Sequence, residues 1–268
     1  MSAAPIKNRI TEITGTDYPI IQAPMSWIAR AQLASAVCNA GGMGIIETGS
    51  GELDAIRDED LYAIGKAAKG LPLITGGSGI ALRLPANFGC ATGTVPWTGQ
   101  TGKSIALSGS CSIATRAQVA HHAVTHPTRE IIAADVIEGR LTPADMADWL
   151  VEAGGIPLAY SSADPKAIKQ VQAEYGLEKS SEALEAFFAE TARLAVKRGV
   201  TRVTTAGGET SGAVVEGLGL KTLEIGPEID PGVPVLRASA DLVVALKSGN
   251  FGAEDFFEKA DKVLRGDA

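Results

Sequence analysis

The chain has 268 residues, of which 45 % are apolar, 31 are glycine and only 5 % are aromatic. That is enough for one large domain or two small ones, and the balance suits an α/β protein with many tight turns better than an all-β sandwich. The formal charge of −7 offers no basic face for nucleic acid, and no apolar run approaches the roughly 20 residues of a membrane span. The amino terminus lacks the basic start and apolar core of a signal peptide, so a soluble, cytoplasmic protein is expected. Cys38, Cys90 and Cys111 are scattered without a CxxC pair and read as buried free thiols.

Strand-like and helix-like segments then alternate along the chain. "YPIIQAP" reads as a strand stopped by Pro24, and "AQLASAVCNAGG" as a helix ending at Gly41 and Gly42. "MGIIET" is a second strand, "DLYAIGKAAKG" a helix, and "LPLITGGSG" a strand running into a glycine loop. Residues 87–102, rich in Gly, Thr and Pro, read as a linker or exposed loop. "SIALSGSCS" then predicts a strand, "IATRAQVAHHAV" a helix and "TREIIAADVIEG" a strand. "TPADMADWLVEAG" predicts a helix capped by Thr142, followed by the strand "IPLAYSS" and the helix "DPKAIKQVQAEYG". In "SSEALEAFFAETARLAVKRG" the apolar positions Leu184, Phe187, Phe188, Ala192, Leu194 and Ala195 keep a helical period. "VTRVTTAGG" is a strand and "SGAVVEGLG" a short helix. "KTLEIG", "VPVLRA" and "DLVVALKSGN" are three more strands, and "AEDFFEKADKVLRG" is the closing helix. The alternation predicts a mostly parallel sheet with helices on both faces. In such sheets ligands bind at the carboxyl ends of strands, where the chain direction across the sheet switches.

Four strand ends combine glycine with hydroxyl or amide side chains: "TGGSG" (75–79), "SGSCS" (108–112), "AGGETSG" (206–212) and "KSGNFG" (247–252). Glycine opens the backbone to close approach by a ligand, and a helix start offers unpaired N–H donors and partial positive charge to a phosphate. "AGGETSG" therefore reads as a phosphate cradle with Thr210 or Ser211 as the helix cap. Glu209 would face a magnesium ion or a ribose hydroxyl, or cap the helix. Lys247 would meet a phosphate or serve a structural pairing.

Other chemistries fit poorly. "TGQTGKS" fails the P-loop pattern, because the position that needs glycine is Trp97. No G-x-G-x-x-G opens a helix, and no G-x-S-x-G elbow or HExxH is present. His121, His122 and His126 read as structural or solvent-facing.

"TGGSGIAL", "SGSCSIATRAQV", "AGGETSGAVV", "IGPEIDPGVPV" and "ALKSGNFGAEDFF" occur in this order and resemble successive motifs of the four-carbon acid sugar kinases, the 3-oxo-tetronate and threonate kinases. The resemblance covers about residues 60–265. It implies the end of a substrate domain over 59–90 and an ATP-binding domain over 91–268. It further implies nucleotide contacts at Ser108, Gly207, Gly208, Glu209, Thr210 and Gly249, with ATP and Mg²⁺ used to phosphorylate a small sugar acid. No catalytic residue is assigned. The family's opening "ADDFTG"-type loop has no counterpart, since the chain holds no Asp-Asp pair, so the substrate half is expected to be truncated. A nucleotide-binding remnant without catalysis is the alternative within this family.

Residues 1–58, with "PIIQAPM", "LASAVCNAGGMGII" and "LDAIR", resemble instead the start of a nitronate monooxygenase. That implies a partial βαβ fragment of barrel origin, too short to close an eight-stranded barrel and lacking the late strands that hold the FMN phosphate. A flavin-dependent monooxygenase is the rival activity. The unpartnered strands of the fragment invite aggregation or a homodimer.

Overall fold

In a computed structural model of the chain, the residues described are 6–18, 20, 37–40, 65–66, 69, 84–90, 93, 96–161 and 173–267. The chain divides into two units, 1–93 and 94–268.

In the first unit, Asn8 and Thr11 form a capping box that starts α1 (Arg9–Thr14), and Gly15 ends it in the left-handed conformation. This helix was not among the predicted elements, although Asn8, Thr11 and Gly15 carry its start and stop signals. Leu84–Phe88 form one 3₁₀ segment. The βαβ fragment expected from "PIIQAPM" and "MGIIET", and the loop "TGGSG", lie outside the described residues.

The second unit is a seven-stranded sheet. Its strands are β1 (Lys103–Ser108), β2 (Thr128–Glu130), β3 (Leu158–Tyr160), β4 (Val200–Ala206), β5 (Glu224–Asp230), β6 (Val233–Arg237) and β7 (Val243–Lys247). Their spatial order is β2-β3-β1-β4-β7-β6-β5. The first five in that order run parallel, and β6 is antiparallel to both β7 and β5. The expected mostly parallel α/β sheet is therefore present. Pro227 sits in β5, an edge strand, where its missing N–H disrupts no interior ladder.

Helices cover both faces. On one side lie α2 (Ile113–His122) and α7 (Phe256–Arg265). On the other lie α3 (Ala133–Ile137), α4 (Pro143–Glu152), α5 (Leu177–Lys197) and α6 (Gly208–Gly217). Alternate residues of the buried strands feed the two cores. Ile105, Leu107, Val203 and Val244 pack with Met146, Leu150, Phe187, Phe188 and Val214. Ala106, Ala206, Val243 and Ala245 pack with Val119, Phe256, Phe257 and Leu264. A strand buried on both faces needs an apolar residue at nearly every position, which is why "SIAL" and "VVAL" show no alternation.

Three expectations need correction. "TREIIAADVIEG" is not one strand: Thr128–Glu130 pair with β3, and Ala133–Ile137 turn into α3. Nor is all of residues 87–102 an exposed linker. The Trp97 indole donates to the Val263 carbonyl, Gln100 N–H donates to the Leu264 carbonyl, and a Cβ on Gly99 would overlap the Arg265 carbonyl. This segment is a strap laid along α7. None of the three cysteines is in a disulfide, as expected, but all three are exposed and not buried.

Candidate functional site

Adjacent strands β1 and β4 lead to helices on opposite faces, α2 and α6, so their carboxyl ends form the switch point of the sheet. The Gly109 N–H donates to the Ala206 carbonyl at 3.0 Å and the Gly207 N–H to the Lys247 carbonyl at 2.9 Å, which ties the ends of β1, β4 and β7 into one edge.

Ser110 lies at the centre of this edge. Gly207 holds φ +125°, and a Cβ there would lie 3.1 Å from Thr210 Oγ1 and 3.2 Å from the Ser110 nitrogen. A Cβ on Gly249 would overlap the Ser110 hydroxyl and lie 3.1 Å from Ser112 Oγ. Both positions are glycine because the three loops approach this closely. Ser112 caps α2 by accepting from Thr115 N–H and donates to the Gly249 carbonyl at 2.7 Å, where Thr115 Oγ1 also donates at 2.7 Å. Gln118 donates to the carbonyls of Phe251, Gly252 and Ala253. The loop after β7 is thus fastened to α2 along its length.

Lys247 lies under these loops. It is 2 % exposed and has no carboxylate partner among the described residues. Its Nζ donates to Thr115 Oγ1 at 3.0 Å and to the Gly249 carbonyl at 3.2 Å, above the Phe256 ring. Burial pushes this amine down to about 8. Its donors are engaged within the protein, so it acts on a ligand as a charge below the floor, not as a direct contact.

The predicted site residues fall into three groups. Gly207 and Gly249 meet around Ser110, whereas the next residue, Gly208, is exposed and a Cβ there would meet nothing within 4 Å. Ser108 reaches this edge but is fully buried, its carbonyl paired with Ser161 N–H, so the groups open to a ligand are those of the following residues. Thr210 is 5 % exposed and packs its hydroxyl toward Gly109 and Gly207. Glu209 is exposed in the first turn of α6 and shares a groove of about 630 Å³ with Glu182, Glu185 and Glu216. Its charge also raises the neighbouring Cys111 thiol, after the larger effect of burial and against Arg116.

The cap is a further correction. Gly207, not Thr210 or Ser211, precedes α6, and no side chain caps its amides. The Ser211 hydroxyl points back to Thr205 at 2.7 Å. The first amides of α6 are therefore left to a ligand or to water. The sequence reading missed Ser110, Ser112 and Thr115. The spacing Ser112-x-x-Thr115 at a helix start was the available signal.

Uncapped amides, flexible glycine backbone, a ring of hydroxyls and a buried cation together can hold a polyanion. The profile of the nucleotide-binding C-terminal domain family matches residues 105–257, from β1 to the first turn of α7. The chain belongs to this family. A second profile, that of nitronate monooxygenases, matches residues 7–71. Among curated proteins, a 3-oxo-tetronate kinase of Pseudomonas savastanoi is 44 % identical over 223 residues, covering 80 % of this chain and 52 % of its own length. The 3-oxo-tetronate kinase of Haemophilus influenzae is 38 % identical, with 78 % and 52 % covered. The chain thus spans about half the length of the curated relatives it matches. A solved Haemophilus influenzae structure of the DUF1537 group aligns with TM-score 0.65 at 35 % identity, over 85 % of this chain and 56 % of that one. A Bordetella bronchiseptica DUF1537 structure, a domain-swapped dimer with bound citrate, aligns at TM-score 0.50 and 20 % identity, with 97 % and 62 % covered, and shares the fold.

Proposed function

We propose that the domain at 91–268 binds ATP at the β1–β4–β7 edge, and that the chain derives from a kinase acting on a four-carbon sugar acid of the 3-oxo-tetronate type. The convergence of three strand-end loops on Ser110 carries this reading. Phosphoryl transfer depends on positioning and charge neutralisation, and this edge supplies both. The open amides at Gly208 and Glu209 would receive phosphate oxygens, the hydroxyl ring around Ser110 would fix their orientation, and the Lys247 charge would favour their entry. Mg²⁺ bound with the nucleotide keeps several waters and needs few protein carboxylates, and Glu209 is the acid beside the helix start.

In this reading 1–58 is a monooxygenase-like graft and 59–90 the end of a substrate domain. Because the chain spans about half the length of its curated kinase relatives, this reading is tested on nucleotide binding and not on transfer to a tetronate. Self-association through strand edges is consistent with the same arrangement. The monooxygenase reading predicts a yellow protein with an FMN absorbance band, and a colourless preparation counts against it.

The test uses Gly208, where an added Cβ would meet nothing within 4 Å. Calorimetry with Mg-ATP should show affinity weakened at least about tenfold in Gly208→Trp, as expected when a side chain occludes ligand space worth more than 1.4 kcal/mol. Equal affinity in both proteins would refute the site.

A further inference from the structure

A second cluster lies at the opposite, amino edge of the parallel strands. His122 ends α2, His126 follows it in the next turn, and Glu258 projects from the first turn of α7. His122 is fully buried. Its Nε2 lies 2.8 Å from the Ile156 carbonyl oxygen, which can only accept, so Nε2 carries a proton. Its Nδ1 lies 2.6 Å from Glu258 Oε1. A ring protonated at Nε2 alone turns a lone pair toward the Glu258 oxygen, so the 2.6 Å contact needs either a proton or a metal ion between the two atoms. The second Glu258 oxygen is buried and has no hydrogen-bond partner. The His126 ring stacks on His122 with centroids 4.6 Å apart and directs Nε2 toward Glu258 Oε1 at 4.0 Å.

We propose that His122 Nδ1, His126 Nε2 and the Glu258 carboxylate form a Zn²⁺ site, with the fourth position open to the cavity beside His126. The three ligand atoms already lie within 4.8 Å of one another. Ligands of a tetrahedral Zn²⁺ sit roughly 3.3 Å apart, so Nδ1 and Oε1 move slightly apart while the His126 ring, stacked on His122 at 21°, rotates off the stack to bring its Nε2 in plane with the ion. Two histidines and a glutamate are a known Zn²⁺ donor set, and a backbone carbonyl fixing the distal ring N–H is the usual outer support of a zinc-bound histidine. The cavity, about 400 Å³, is also lined by Thr101, Gly155, Arg202, Asp261 and Arg265. Both arginines are engaged by Asp261, which limits their repulsion of a cation. The ion would clamp α2 to α7.

Cobalt titration of the metal-free, full-length chain tests this. Co²⁺ should produce the visible ligand-field bands of a four-coordinate centre, and one equivalent of Zn²⁺ should bleach them. His126→Ala, on the partly exposed ligand, should weaken uptake at least about tenfold while keeping the far-ultraviolet dichroism of the parent. Replacement of all three cysteines by serine should leave the bands intact. Zn²⁺ should raise the melting temperature of the parent but not of His126→Ala. Failure to take up either metal, undiminished bands in His126→Ala, or a sulfur-to-cobalt charge-transfer band that vanishes in the cysteine-free protein would each overturn the proposal. The first result would mean that the His122–Glu258 contact is bridged by a proton alone.

Discussion

Lys247 shows how much one residue can bring to this protein. A lysine at the end of a buried strand, 2 % exposed and without a carboxylate, would be a plain defect in most cores. Here its ammonium is bonded to the hydroxyl of Thr115 and the carbonyl of Gly249, so the charge also fastens the loop that a phosphate would meet. Burial lowers its affinity for a proton from 10.5 to about 8 in the folded chain. The unfolded chain therefore binds more protons between these values, and the cost of burying the charge is full below pH 8 and fades as pH rises toward 10.5. Melting temperatures of the parent and of Lys247→Met, taken from pH 7 to 10.5, should show the difference moving in the parent's favour by on the order of 5 °C. A difference that stays flat with pH would show that the amine is not held as a buried charge. The sequence placed this lysine at a strand end. It could not say whether the side chain turns out to a ligand or inward, because that depends on Phe256 and on Thr115, 132 residues away.

At the scale of elements, α5 anchors one core. Phe187 and Phe188 are both buried, although adjacent residues on a helix differ in direction by about 100°. They meet edge to face with ring centroids 6.4 Å apart, and Phe188 also reaches Gly109 beneath the loop after β1. Phe188→Ala should cost about 3–5 kcal/mol, read by chemical denaturation, and should loosen the edge where Gly109 sits. A loss below about 1 kcal/mol would mean that the helix packs through its other residues. The helical period of this segment was plain in the sequence, as were the strands around it. The helix of Ala133–Ile137 was not, because "EIIAADVI" is apolar enough for either period and short runs do not separate the two.

On the scale of the whole molecule, the described residues of 94–268 hold their own two cores and a seven-stranded sheet. A chain of residues 94–268 alone should unfold in one cooperative transition and bind Mg-ATP within about twofold of the full chain. Loss of cooperativity on removing 1–93 would show that the domain leans on the preceding segment. Among the described residues no helix is long and apolar enough to cross a membrane.

The sequence by itself determined the mostly parallel character of the sheet, most of its elements over 94–268, and the three of four glycine- and hydroxyl-rich strand ends that fall on described residues, because period, turn chemistry and strand burial are local properties of the chain. Only the tertiary structure decided which atoms those ends present. It buried Ser108 and brought Ser110 against Gly207 and Gly249. It left the start of α6 uncapped, and it set His122 beside Glu258 across 136 residues. Contacts between residues so far apart follow from the sheet order and the helix faces it selects, and neither is encoded in any short stretch of sequence.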